Sequence, residues 1–155
     1  ISRHSEQVLE IEVSSSIASK SAGPATRLNI DQYIESTENL TKLISNCEQV
    51  KAILVLNPAE PPVMMRTTVH AKVLEFDLSA IKDEVILIVD KIKKYVPGYD
   101  VVVEPYISSL NTVSATVKVT GAGHFLPSYA GNLDIINAAA VETARRHSET
   151  IREKI

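Results

Sequence analysis

The sequence predicts a single α+β domain, residues 1–155, built on a mixed, largely antiparallel sheet with helices on one face. Three patterns support this prediction: segments with a two-residue apolar period, segments with a helical period, and turns that join neighbouring strands as hairpins. The predicted order is β-α-β-β-α-β-β-α, which favours a sheet covered by helices on one face. The other face must then be unusually polar or covered by a partner, and a second subunit is the natural cover.

The first predicted elements are a strand, a loop and a helix. Leu9, Ile11 and Val13 alternate with polar residues, as in a half-buried strand. A loop over 19–28 follows, and Asn29 is predicted to cap a helix. The apolar residues on one face of that helix are Ile30, Tyr33, Ile34, Thr37, Leu40, Leu43 and Ile44.

The middle of the chain predicts two strands and a helix. An apolar run over 52–56 indicates a strand, and the prolines of 57–62 stop it. Alternation over 63–73 indicates a long strand. Its more polar side carries Arg66, Thr68, His70 and Lys72. Ser79 is predicted to cap the next helix, which ends at Pro97-Gly98.

A hairpin, a glycine-rich loop and a helix complete the prediction. Residues 101–106 and 113–119 are the expected hairpin strands, and 121–131 is the loop. The last helix is expected from about Asn132 to the end of the chain. Its alanines would allow close packing against a neighbour; they are Ala138, Ala139, Ala140 and Ala144.

Composition narrows the class of protein. The net charge is −3 with no basic block, so nucleic acid and anionic membranes are poor partners. No apolar run approaches the roughly 18 residues of a membrane span, and no signal peptide is recognisable. One cysteine, Cys47, suits a reducing cytoplasm. Because the chain begins at Ile1 without methionine, we interpret it as a piece of something longer.

Three features allow a chemical or a structural interpretation. The loop 19–28 leads into a helix N-terminus that favours an anion, but the residues alone favour a capped helix after a Gly-Pro turn. Cys47 can be a nucleophile, but its place beside Glu48 at a helix C-terminus does not suit an activated thiol, which favours a structural cysteine. His124 can bind a ligand, move a proton or fix its loop. Histidine and cysteine spacings predict no metal site, and no complete dinucleotide-binding fold is encoded.

Three longer segments resemble the acylating acetaldehyde dehydrogenases of aromatic meta-cleavage pathways. They are Ser19–Asp31 (SKSAGPATRLNID), Leu56–Pro62 (LNPAEPP) and Gly121–Ile135 (GAGHFLPSYAGNLDI). They occur in the family's order and near its spacing, and Tyr95–Tyr99 (YVPGY) is similar as well. The resemblance covers the chain from about Val8 to Arg146.

The resemblance implies a two-domain oxidoreductase. Its N-terminal Rossmann domain, with the NAD-binding turn and the nucleophilic cysteine, would be absent here, so this chain would hold no catalytic residue. The chain would be the second domain, similar to the dimerisation domain of glyceraldehyde-3-phosphate and semialdehyde dehydrogenases. The implied reaction converts acetaldehyde, coenzyme A and NAD⁺ to acetyl-CoA and NADH. The implied partners are a second copy, giving a homo-oligomer, and a 4-hydroxy-2-oxovalerate aldolase.

The resemblance also implies an NAD-contacting loop and one further contact from the last helix. The residues are Ser21, Ala22, Gly23, Pro24, Ala25, Thr26, Arg27, Leu28, Asn29 and Asn132. The sequence departs from the family in three places. Thr67 stands where the family has an acidic residue, Ala25 replaces a glycine, and the hairpin between Tyr106 and Val113 is short. Thr67 and the short hairpin favour an alternative, a divergent non-catalytic dimerisation or assembly module, whereas the intact first and third segments favour the enzyme.

Overall fold

The computed structural model describes residues 1–152, which form one five-stranded sheet and its helices. The strands are β1 (Ser5–Ala18), β2 (Val50–Asn57), β3 (Met65–Phe76), β4 (Tyr99–Ser109) and β5 (Thr112–Val119). The helices are α1 (Pro24–Leu28), α2 (Ile30–Ser45), α3 (Leu78–Lys93) and α4 (Gly131–Arg152). Short 3₁₀ turns span Ser2–His4, Ser19–Ser21 and Ser128–Ala130. The predicted order of strands and main helices is confirmed, with α1 as an addition inside the predicted loop.

The sheet is mixed and largely antiparallel, as predicted. Its strand order is β2-β1-β3-β5-β4, in which only β1 and β2 run parallel. The helix α2 makes the crossover between the parallel strands, which cannot be joined by a tight turn. The sequential pair β4–β5 is a hairpin closed at Leu110-Asn111, where Asn111 adopts a positive φ of 57°.

The two faces of the sheet differ in chemistry. On one face Val13, Val69 and Ala115 stand side by side on β1, β3 and β5, beneath α2 and α3. On the other face Thr68 lies between Ser14 and Thr116, and its hydroxyl oxygen is 2.9 Å from that of Thr116. The prediction of helices on one face and a polar opposite face is therefore confirmed.

A second polar row, next to the Thr68 row on the same face of the sheet, includes a buried serine. His70 pairs in register with Glu12 and Ser114, and its Nδ1 lies 2.6 Å from Ser114 Oγ. Ser108 Oγ approaches the same hydroxyl at 2.7 Å. Such a network satisfies the fully buried Ser114 side chain. Arg66 and Lys72 extend the same face, as predicted for the polar side of β3.

Two predicted helix caps are wrong in detail. Asn29 occupies the N-cap position of α2, but its side chain donates to the Ala25 carbonyl oxygen at 2.8 Å and caps nothing. The helix α1, directly upstream, provides that nearer acceptor. Helix α3 begins after Asp77 rather than Ser79, and the Asp77 carboxylate accepts the Ala80 N–H at 3.0 Å.

Much of the apolar face predicted for α2 is exposed. Leu40, Leu43 and Ile44 are exposed by 56%, 80% and 73%. The residues turned inward include Glu38, whose carboxylate accepts the N–H of Ala52 on β2 at 3.0 Å. That bond holds α2 at the outer edge of the sheet and leaves much of its apolar surface open. Among the described residues, no helix is long and apolar enough to cross a membrane.

Candidate functional site

The three segments that carry the family resemblance meet at one end of the sheet. Because β1 and β2 are parallel, both end there, with Ala18 opposite Asn57. The antiparallel strand β3 begins there, and Met65 lies opposite Val119 at the end of β5. Segments 19–29, 58–64 and 120–131 therefore leave the sheet side by side. We call these three segments the loop end.

The predicted cofactor loop is held by bonds within itself. The buried Ser21 hydroxyl donates to the Ala18 carbonyl oxygen at 2.8 Å. The Arg27 guanidinium folds back on the loop, donating to the carbonyl oxygens of Ala22 and Ser19 at 3.0 Å each and to Ser19 Oγ at 2.9 Å. Arg27 therefore fixes the backbone shape of the loop, and much of its hydrogen-bonding capacity is already used.

The first and second segments are joined by an ion pair. Lys20 Nζ lies 2.5 Å from Glu60 Oε1, and both side chains are more than half exposed. The hydrogen bond to Glu60 raises the pKa of Lys20 above its ordinary value. Glu60 could not be predicted as a partner of Lys20 from the sequence, because the parallel register that brings the two together is a tertiary feature.

The glycine-rich segment is folded tightly against the start of α4. Gly121 N donates to the Ser128 carbonyl oxygen, and Ala122 N donates to Asp134 Oδ2, both at 2.7 Å. A Cβ at Gly121 would lie 2.7 Å from that carboxylate oxygen, so a side chain there would disrupt the arrangement. Asp134 was missed by the sequence analysis. Its role could have been predicted from its position, since an acidic residue in the first turn of a helix favours contacts with nearby backbone N–H groups.

Asn132 has an unpaired atom in this region. It lies in the first turn of α4, and its side-chain Oδ1 is buried without a hydrogen-bond partner among the described residues. The turn immediately before it, Ser128–Ala130, contacts β1, the strand that leads into segment 19–29. A buried amide oxygen without a partner is costly and therefore requires an explanation.

Cys47 and His124 have different environments. Cys47 is 1% exposed within the apolar core, and its Sγ lies 3.5 Å from the Gln49 carbonyl oxygen, as a structural cysteine would. His124 lies exposed near the tip of the glycine-rich segment beside a fully exposed Phe125. Residues 1–152 contain no cluster of three or more histidine, cysteine, aspartate or glutamate side chains that could hold a metal ion.

Comparison with known proteins gives consistent matches. Residues 1–127 match the family model described as prokaryotic acetaldehyde dehydrogenase, dimerisation. An acetaldehyde dehydrogenase of Pectobacterium atrosepticum is 53% identical over 84% of this chain and 44% of its own length. Those of Spirochaeta aurantia and Carboxydothermus hydrogenoformans are 49% and 47% identical over 93% and 86% of this chain, and 48% and 44% of their own lengths.

These matches show the family of this chain and cover only part of each relative. The chain spans about half the length of the curated relatives it matches. The family model is named for dimerisation, which supports homo-oligomerisation of this chain. On the family match and on identities near one half, the chain belongs to the dimerisation-domain family of prokaryotic acetaldehyde dehydrogenases.

Proposed function

We propose that this chain is the second half of an oxidoreductase that converts acetaldehyde, coenzyme A and NAD⁺ to acetyl-CoA and NADH. The names of its relatives support the acetaldehyde dehydrogenase activity. The observation that carries the cofactor assignment is the unpaired, buried Oδ1 of Asn132, in the first turn of α4 next to the loop end. A nicotinamide carboxamide has an N–H donor for that oxygen and an acceptor for the Asn132 amide N–H.

The loop 21–29 would form the adjoining wall of the NAD site. Ser21 and Arg27 hold its backbone in one shape, so little ordering would remain to be done when a ligand binds. The residues present therefore fit one side of a nicotinamide site. NAD would accept the hydride, and this chain would orient the carboxamide and shield it from water.

The thiol that attacks the aldehyde would come from outside this chain. Acyl transfer through a thioester needs an accessible thiolate. Cys47 is the only cysteine here and lies in the core. Binding surface for coenzyme A would likewise be completed by the half of the relatives that this chain does not span.

A polar sheet face would form the contact with a second copy. The hydroxyl row at Thr68 and the His70 row offer hydrogen-bonding groups on β1, β3 and β5, on the face opposite α2 and α3. We expect light scattering to show a dimer or larger oligomer at tens of micromolar. Thr68→Asp should weaken it by burying a like charge from each copy in the contact, whereas Leu43→Asp on the other side should not. A monomer under these conditions would contradict this part of the proposal.

The second candidate is a non-catalytic assembly module. Thr67, which replaces the family's acidic residue, is bonded through its hydroxyl to Ser15 Oγ at 2.8 Å, so the position carries no charge. The hairpin closes at 110–111, which removes the long excursion expected for the family. Pairing with a 4-hydroxy-2-oxovalerate aldolase therefore stays a prediction to be tested by co-purification.

Aldehyde-dependent NADH production separates the two candidates. The full-length polypeptide should form NADH only when acetaldehyde, coenzyme A and NAD⁺ are all present, and the isolated 155-residue chain should form none. A full-length polypeptide that is folded and oligomeric but inactive would favour the assembly module. Turnover by the isolated chain that survives Cys47→Ala would refute the thiol assignment.

A further inference from the structure

The polar face of the sheet carries two basic side chains without a carboxylate partner. Arg66 on β3 stands directly opposite Lys118 on β5, where the two strands pair in register. Neither forms an ion pair with a carboxylate among residues 1–152. Asp100 is the next residue in that row, on β4, and its carboxylate is bonded to Lys93 of α3. Like charges directly opposite each other on neighbouring strands are destabilising, so an acidic group from outside the chain would relieve this repulsion.

The other half of the polar face carries an acidic side chain without a partner. Glu12 on β1 lies between Lys51 and His70 in its row, yet it forms an ion pair with neither. A recess of about 300 Å³ opens beside it. The charged groups in its lining are two carboxylates and one ammonium group, those of Glu10, Glu12 and Lys72. The recess therefore favours a basic side chain as its occupant.

These two features lie at equal distances from the row of Thr68. Along the central strand β3, Arg66 comes two residues before Thr68 and His70 comes two residues after it. At about 3.4 Å per residue, each of these rows is about 7 Å from the Thr68 row. A two-fold axis at Thr68 that runs across the strands would therefore place the Arg66 row of one copy over the Glu12 row of the other.

We propose that two copies of this chain pair through the polar face with their strands antiparallel, so that Arg66 of one copy enters the recess at the partner's Glu12. This proposal rests on the proposed function in taking a second copy as the cover of this face. Sheets that pack face to face lie about 10 Å apart, and long side chains fill the space between them. The planar guanidinium of Arg66 presents a fork of N–H donors that matches a carboxylate, which favours this pair over one made by a lysine.

The charges disfavour the other symmetric arrangement about β3. If the two-fold axis ran along the strands, each row would lie over itself, and Arg66 would stand over the partner's Arg66. Two guanidinium groups would then be taken out of water without a carboxylate between them, which costs free energy. In the antiparallel arrangement Arg66 lies over the partner's His70 and beside the partner's Glu12. Because Thr68 is at the axis in both arrangements, Thr68→Asp tests the contact and not its orientation.

Charge reversal followed by mixing tests the orientation. Arg66→Glu and Glu12→Arg are made separately in the full-length polypeptide, and their association is measured by sedimentation velocity over a dilution series. Each variant alone should have a dissociation constant at least on the order of ten-fold higher than the unsubstituted polypeptide, because like charges then meet at both pairs. The two variants mixed in equal amounts should associate as tightly as the unsubstituted polypeptide, because the reversed site of each copy then meets the reversed site of the other.

Lys91→Glu is the matched control. It reverses an exposed charge on α3, on the opposite face of the sheet, and should leave the dissociation constant unchanged. Circular dichroism confirms that each variant is folded. Single variants that associate normally, or that stay dissociated when mixed, would overturn the proposal. So would a mixture of Arg66→Glu with the unsubstituted polypeptide that is tighter than the unsubstituted dimer, since that result requires Arg66 to face Arg66.

The same experiment separates this orientation from the proposed function. An unsubstituted polypeptide that is oligomeric, combined with variants that mixing does not restore, would show that the orientation alone is wrong. An unsubstituted polypeptide that is monomeric, or that associates only with a different protein, would contradict the second copy itself and the orientation with it. Dehydrogenase activity is assayed separately, so its loss would count against the proposed reaction and not against the pairing of the two copies.

Discussion

Replacing Glu38 by alanine should destabilise the domain. Glu38 accepts a backbone N–H of an edge strand that a neighbouring strand would otherwise accept. Ala52 lies on the edge strand β2, and its N–H is satisfied at 3.0 Å by the Glu38 carboxylate. Hydrogen bonds to charged groups are worth about 1.5–3 kcal/mol, and removing one partner leaves the other to find water. Ala52 is 9% exposed, so water reaches its N–H poorly. We therefore expect a loss of about 2 kcal/mol in the free energy of unfolding.

Urea denaturation followed by circular dichroism measures this loss. With a urea dependence of about 2 kcal/mol per molar, the midpoint should fall by roughly 1 M. Glu35→Ala is the matched control, since Glu35 is exposed on the same helix, one turn before Glu38, and its replacement has the same effect on helix propensity. Equal midpoints for Glu38→Ala and Glu35→Ala would refute the view that Glu38 holds α2 to the sheet edge.

Two further changes test other parts of the fold. Gly98→Ala should cost about 2 kcal/mol or more, because its Cβ would lie 1.9 Å from a backbone carbonyl oxygen, whereas Gly23→Ala meets nothing within 4 Å and should change little. Hydrogen bonds from Arg145 and Arg146 lower the pKa of Glu142 from 4.5 to about 2. Its contribution to stability is therefore complete above pH 4.5 and lost as the pH falls through about 2. An NMR titration should find that midpoint and should move it upward in high salt, since both arginine side chains are more than half exposed.

The strands could be predicted because their signal is local. Alternation along β3 correctly assigned Arg66, Thr68, His70 and Lys72 to the polar face. The apolar period predicted helix α2, but it did not predict which side of the helix faces the sheet. The periodicity identifies an apolar surface without identifying what covers it, and here Glu38 turns a different side toward the sheet.

The candidate site could be predicted in part. Its segments were recognised by their resemblance to a known family, but their meeting at the loop end depends on the parallel pairing of β1 with β2. The cap of α3 shows a similar limit. Asp77 and Ser79 are both suitable capping residues, and the extended backbone at Asp77 decides between them. Contacts made across the fold, such as Lys20 with Glu60, have no local signature.

Steady-state kinetics of the full-length polypeptide with Asn132→Ala tests the central proposal most directly. Asn137→Ala, an exposed position on the same helix, is the matched control. Losing one good hydrogen bond to nicotinamide should raise the Michaelis constant for NAD⁺ or lower turnover by on the order of ten-fold. The control should leave both constants unchanged. If Asn132→Ala folds normally and its kinetics with NAD⁺ match those of the control, the loop end is not the nicotinamide site.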